Sequence, residues 1–197
     1  MAEWRTLAKA RNDFADMLDG LSEEQLEAQS LCDRWRTVDV AGHLVSLIET
    51  SPMALVMGYA KNRHDPDSFV AETAIDFGDN KGAAALAESL RAHASKRLRP
   101  FSEASMVADT AVHTQDIRRP LGLTDPLDPE VLRMSLDHSI GDFTKGREIP
   151  LRFVANDIDW SAGVGEEVHG TGEALLMALN GRDVSAELAG PGVELLG

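Results

Sequence analysis

Three residues that could bind a metal ion follow one another at helical spacing in the segment DTAVHTQDIRRPLG, residues 109–122. Asp109, His113 and Asp116 are four and three positions apart, so on an α-helix their side chains share one face. An aspartate and a histidine at this spacing can ligate a divalent cation, and Asp116 could hold a histidine ring by its second nitrogen or line the pocket. The same spacing is also common in exposed ion pairs, so it indicates a metal site without deciding for one.

His43 is a further candidate ligand, because it lies within the apolar segment VDVAGHLVSLIE. A neutral imidazole in such surroundings needs partners for both ring nitrogens, and a histidine satisfied within the core is the ordinary alternative to a ligand. Helical bundles build metal sites from side chains on facing helices. His43, Asp109 and His113 together would leave one coordination position open, which is typical of a catalytic zinc and not of a structural one.

The elements that must position these residues are predicted to be helices, because apolar residues recur at helical spacing over most of the chain. The segment 37–62 is apolar around most of its circumference, which favours a central helix. The stretch 62–80 contains turn residues at both ends and is predicted to be a loop with a short helical start. The predicted helices cover residues 3–20, 37–62, 81–99, 102–119 and 129–143.

From residue 149 the sequence becomes β-branched and is punctuated by glycine, which predicts two strands joined by a turn. A last helix is predicted to begin at Thr171 and to end at Gly181. The predicted fold class is therefore mainly α, with a four-helix bundle in residues 1–147 and a small α+β domain in residues 148–197.

Composition excludes several classes of protein. The chain has 197 residues and a formal net charge of −14, which disfavours binding to nucleic acids and to anionic membranes. Its single cysteine, Cys32, excludes an intramolecular disulfide and every multi-cysteine metal site, and is predicted to be a buried or incidental thiol and not a nucleophile. No apolar run is long enough to span a membrane, and the first residues do not resemble a signal peptide, so a cytoplasmic location is expected.

The chain resembles the mycothiol-dependent maleylpyruvate isomerase-like family, which belongs to the DinB/YfiT-like group of metal-binding helical bundles. The resemblance implies a DinB-like bundle for the helical part of the chain. It rests on three segments in the same order, WRTVDVAGHLVSL, ADTAVHTQDIRRPLG and LRFVANDIDWSAGVGEEVHGTGEALLMALNGR.

The family's metal ligands correspond to His43, Asp109 and His113 in this chain. The better-studied isomerases of the family have glutamate at the carboxylate position, so the aspartate here is one methylene shorter. Zinc is the metal that the resemblance implies, with nickel as the alternative. Arg182 loosely matches an arginine that helps to hold an acidic substrate in family isomerases, but capping of its own helix is favoured because cations are preferred at helix C-termini.

The resemblance also implies a chemistry. The metal would bind the thiol of mycothiol, a low-molecular-weight cosubstrate, as a thiolate that attacks a small electrophile. In an isomerase the sulfur adds to an activated alkene and leaves after bond rotation, whereas in a transferase it stays attached. The alternative is a non-catalytic bundle with a degenerate site, which serves as a metal-binding or dimerisation module, and a homodimer is compatible with both.

Overall fold

The computed structural model describes residues 4–63, 65–146 and 148–196. Within them the chain is mostly helical, and the small three-stranded sheet lies toward the C-terminal end. The predicted mainly α class with a small α+β segment is therefore confirmed, whereas the four-helix arrangement stays a prediction. The α-helices are α1 Arg5–Asp19, α2 Glu23–Glu27, α3 Thr37–Glu49, α4 Pro52–Lys61, α5 Pro66–Ala92, α6 Glu103–Leu121, α7 Pro129–Phe143 and α8 Gly172–Leu179, and the strands are β1 Leu151–Ala155, β2 Ser161–Gly163 and β3 Glu166–Gly170.

The chain folds into two compact units that share helix α6. The first unit contains residues up to 102 together with residues 116–124, and the second contains residues 103–115 together with residues from 125 onward. Helix α6 thus begins in the second unit and ends in the first. A domain boundary after residue 147 stays a prediction. None of the helices that the structure describes is long and apolar enough to cross a membrane.

In the first unit, helix α5 packs against both α1 and α3. The backbones of α3 and α5 come close together at two glycines, Gly42 and Gly78. A Cβ atom at Gly42 would run into the carbonyl oxygen of Ala74, and one at Gly78 would run into the carboxylate of Asp39. The absence of side chains at these positions therefore lets the two helices pack closely. The buried core of this unit includes Phe14, Leu18, Val40, Val45, Ile48, Leu86, Leu90 and Ile117.

The prediction of one helix over residues 37–62 was wrong, because the chain forms two helices there, α3 and α4. The hydroxyl of Ser51 accepts a hydrogen bond from the backbone N–H of Ala54 at 3.2 Å and so caps a new helix. The proline at the first position of α4 has no N–H with which to continue α3. As a result α4 is not a central helix, and Met53, Val56 and Met57 are 65–69% exposed.

The prediction of a loop over residues 62–80 was also wrong for most of its length. Helix α5 begins after Asp65, whose carboxylate accepts a hydrogen bond from the N–H of Ser68 at 3.0 Å. The helix continues to residue 92 with a kink at Gly82, where φ is 70°. Ala71 and Ala74 are buried on this helix, so burial of an apolar face outweighed the turn-forming residues around them.

In the part of the second unit that the structure describes there are three strands instead of the two predicted. Their order is β2-β1-β3, with β1 antiparallel to β2 and parallel to β3. Helix α8 begins after Thr171, whose hydroxyl accepts from the N–H of Ala174 at 3.2 Å, and Gly181 follows the helix with φ at 76°. The predicted start and end of this helix are therefore confirmed. Helix α7 packs against α8.

We expect Gly42→Ala to destabilise the first unit by about 1–3 kcal/mol, because the added methyl group must push α3 away from α5. The matched control is Gly141→Ala on α7, where a Cβ would meet no atom within 4 Å. That control should be neutral or stabilising by up to about 1 kcal/mol, since alanine is the better helix former. Urea unfolding measures both changes, and equal effects of the two substitutions would contradict the close approach.

Candidate metal centre

His43 lies in the middle of α3 and is 7% exposed. Its ring stacks on the indole of Trp35, with the ring centroids 4.9 Å apart and the planes inclined by 28°. The hydroxyl of Ser46 donates to the backbone carbonyl of His43 at 2.8 Å. The imidazole is therefore held against a flat aromatic surface on a helix that is itself buried.

An ion pair fixes the start of α3 one helical turn before His43. The backbone N–H of Arg36 donates to Asp39 Oδ2 at 2.9 Å, and the guanidinium donates to both oxygens of the same carboxylate at 2.7 and 3.0 Å. Arg36 also donates to Glu27 and Asp79. These acceptors raise the pKa of Arg36 above its ordinary value, and the hydrogen bond to Asp39 is the largest cause. The buried carboxylate of Asp39 is thus fully paired.

Asp109 and His113 lie on the same face of α6, as predicted. The distance from Asp109 Oδ1 to His113 Nε2 is 3.7 Å, and the two side chains are 37% and 11% exposed. Two ligands bound to one tetrahedral zinc at about 2.0–2.1 Å lie about 3.3 Å apart. The pair is therefore spaced closely enough to share a cation, and its aspartate reaches solvent.

Asp116 lies one turn farther along α6 and is completely buried. Its Oδ2 accepts a hydrogen bond from the thiol of Cys32 at 3.2 Å, and its backbone carbonyl accepts from the N–H of Leu31 at 2.9 Å. The prediction of a buried or incidental thiol therefore did not include this specific contact of Cys32 with Asp116. Cys32 and Asp116 are 84 positions apart, and no local spacing in the sequence could have linked them.

Within the part of the chain that the structure describes, two groups of side chains could hold a metal ion. One is His43 with Asp109 and His113, and the other is Cys32 with His113 and Asp116. Imidazole, carboxylate and thiolate ligands are those that zinc prefers, and imidazole also suits nickel. The residues present therefore fit a divalent transition metal.

Arg182 lies just beyond α8, in the second unit. Its guanidinium donates to the backbone carbonyl of Asn180 at 2.8 Å, and its backbone N–H donates to the carbonyl of Met177 at 3.0 Å. These are contacts of a cation at a helix C-terminus. Arg182 also lines a cleft of about 370 Å³ together with Asp183 and Glu194. A contact of Arg182 with substrate stays a prediction.

Comparison with known proteins gives one family and one related structure. The family model described as the mycothiol maleylpyruvate isomerase N-terminal domain matches residues 7–109. A crystal structure of the mycothiol-dependent maleylpyruvate isomerase is similar to this chain with a TM-score of 0.52 and 13% sequence identity, over 96% of this chain and 92% of that chain. At this identity the similarity establishes the fold alone. No curated protein matches the chain at a significant level.

We expect Arg36→Ala to destabilise the protein by about 1–3 kcal/mol, because it leaves the buried carboxylate of Asp39 without its guanidinium. Asp79→Asn is the matched control, since it removes an exposed partner of the same arginine and should cost less than about 1 kcal/mol. Denaturant unfolding measures both. A larger loss of stability for Asp79→Asn than for Arg36→Ala would show that the contact between Arg36 and Asp39 does not fix the start of α3.

Proposed function

Since the chain belongs to the mycothiol maleylpyruvate isomerase N-terminal domain family, we propose that it is a metal-dependent enzyme that uses mycothiol as thiol cosubstrate. It acts on a small electrophile, either as an S-transferase or as an isomerase. The observation that carries the proposal is that His43, Asp109 and His113 could together hold one ion. A location in the cytoplasm is part of the same proposal, since the single cysteine excludes an intramolecular disulfide.

The proposed ligands are His43, Asp109 and His113, in preference to the group that contains Cys32. A catalytic metal needs an open coordination position that a cosubstrate can reach. Asp109 is 37% exposed, whereas Asp116 is completely buried and already accepts the thiol hydrogen of Cys32. Each group has one partly exposed member, Asp109 in the first and Cys32 in the second, so the preference depends on Asp116, whose buried carboxylate is already engaged by the thiol of Cys32. Zinc is the metal proposed, and nickel is the alternative.

The residues of the chain have separate roles in this proposal. When bound, a divalent cation supplies the positive charge that keeps a thiol deprotonated at neutral pH. Trp35 holds the ring of His43 in place by stacking, and Asp109 contributes the one negative charge of the ligand set. Asp116 orients the ring of His113 from the next turn of α6. Arg182 is proposed to attract an acidic group of the electrophile.

The second candidate function is a non-catalytic metal-binding or dimerisation module of the same fold. Two observations favour it. Asp109 is shorter than the glutamate of the family's isomerases, and helix α4 exposes Met53, Val56 and Met57, as the interface of a homodimer would in the free subunit. The two functions differ in whether the bound metal activates a thiol.

We expect the purified protein to bind zinc. His43→Ala and His113→Ala should each weaken zinc binding by more than about 100-fold, because removal of a group that only hydrogen-bonds to a ligand already lowers metal affinity by about 10–100-fold and removal of the ligand itself costs more. His138→Ala is the matched control, since His138 pairs with Asp142 on α7 and belongs to neither group. Competition with a chromogenic chelator measures the affinities. Circular dichroism of each variant verifies that the fold is retained. Unchanged zinc affinity in folded His113→Ala would overturn the proposed site.

We expect the zinc-loaded protein to accelerate the reaction of mycothiol with 1-chloro-2,4-dinitrobenzene, in which sulfur replaces chloride on the ring. The rise in absorbance of the thioether product measures the rate. His113→Ala should react at the uncatalysed rate and His138→Ala at the wild-type rate. A protein that binds zinc through His113 but does not accelerate this reaction, nor isomerise an activated cis-alkene, would support the non-catalytic function instead.

A further inference from the structure

Helix α6 contains a proline in its last turn, at Pro120. In a regular helix the N–H of residue 120 would donate to the carbonyl of residue 116, but proline has no N–H. The carbonyl of Asp116 instead accepts the backbone N–H of Leu31 at 2.9 Å. Pro120 therefore leaves an acceptor on α6 to which a separate segment of the chain binds.

The separate segment is the 29–36 loop, which comprises residues 29–36. Hydrogen bonds from side chains of the 29–36 loop to its own backbone fix its shape. The amide of Gln29 donates to the carbonyls of Cys32 and Trp35 at 2.8 and 2.9 Å. The hydroxyl of Ser30 donates to the carbonyl of Trp35 at 2.8 Å and accepts from the N–H of Cys32 at 3.1 Å. Because these bonds cross the loop, Leu31, Cys32 and Trp35 are held at fixed positions relative to one another.

The 29–36 loop contacts both helices that contain proposed ligands. Trp35 stacks on the ring of His43 in α3. The thiol of Cys32 donates to Oδ2 of Asp116 in α6 at 3.2 Å. Asp116 is three residues beyond His113, so the two side chains lie on the same face of α6. A hydrogen bond that fixes one carboxylate oxygen also fixes the direction in which the other points.

We propose that Cys32 is a positioning residue of the metal centre, which acts through Asp116 on the ring of His113. This inference rests on the proposed function, since it needs a metal at His43, Asp109 and His113. The thiol holds Oδ2 of Asp116, and the second oxygen of Asp116 holds the ring of His113 in the orientation that ligation needs. Groups that orient a histidine ligand in this way typically contribute about 10–100-fold to metal affinity.

The test compares the zinc affinity of Cys32→Ala and Cys32→Ser with that of the wild type, by chelator competition. Cys32→Ala removes the donor and should weaken zinc binding by about 10–100-fold. Cys32→Ser keeps an O–H donor at the same position and should restore most of that affinity. In an Asp116→Asn background, Cys32→Ala should cause little further loss of zinc affinity, because the effects of two residues that act through one hydrogen bond do not add.

Three results would overturn the proposal. The first is wild-type zinc affinity in Cys32→Ala. The second is an equal loss in Cys32→Ser. The third is that Cys32→Ala lowers zinc affinity in the Asp116→Asn background by as much as it does in the wild type, as expected for a cysteine that only contributes packing. If the wild type binds no zinc, the proposed function fails and this inference fails with it, whereas zinc binding that is independent of Cys32 overturns this inference alone.

Pro120→Ala tests the same arrangement without touching Cys32. The new N–H can donate to the carbonyl of Asp116 and compete with Leu31, which loosens the attachment of the 29–36 loop. Thermal stability should be maintained, because α6 gains a backbone hydrogen bond, while zinc affinity falls in the same direction as in Cys32→Ala. A loss of affinity without a loss of stability cannot come from unfolding. Unchanged zinc affinity in this variant would overturn the positioning role of the loop.

Discussion

Buried polar groups need partners, and this constraint explains most of the local structure around the candidate metal centre. Asp39 is buried and is paired by Arg36, and Asp116 is completely buried and accepts hydrogen bonds at its side chain and its carbonyl. All of these partners, Arg36, Cys32 and Leu31, belong to the 29–36 loop. The cost of leaving such groups unpaired therefore ties the 29–36 loop to α3 and α6.

Local patterns in the sequence correctly predicted the elements for which the capping residues and the hydrophobic periodicity agree. Helix α7 was predicted over residues 129–143 and occupies those residues, because a capping aspartate and a proline precede an amphipathic run. The spacing of Asp109 and His113 predicted a shared helical face, which the structure confirms. The ligand set as a whole depended on the resemblance to a family, since His43 lies far from the other two residues in the sequence.

Features that depend on contacts between distant segments could not be predicted. The glycine, aspartate and asparagine residues of 76–80 indicated a turn, yet α5 continues through them because its alanines are buried against α3. The parallel pairing of β1 with β3 and the contact of Cys32 with Asp116 likewise join residues with no shared local pattern. The predicted helix over 102–119 stops just before Pro120, but the sequence does not reveal that the carbonyl of Asp116 accepts the N–H of Leu31.

The stacking of Trp35 on His43 has a spectroscopic consequence. The absorption and emission of an indole depend on the electric field at its ring, and this indole lies 4.9 Å from an imidazole. Protonation of that imidazole, or coordination of a cation by it, changes the field directly. The chain has three tryptophans, and of these Trp160 belongs to the second unit and Trp4 lies over the guanidinium of Arg97. The fluorescence of Trp35 is therefore an intrinsic optical reporter of the electronic state of His43.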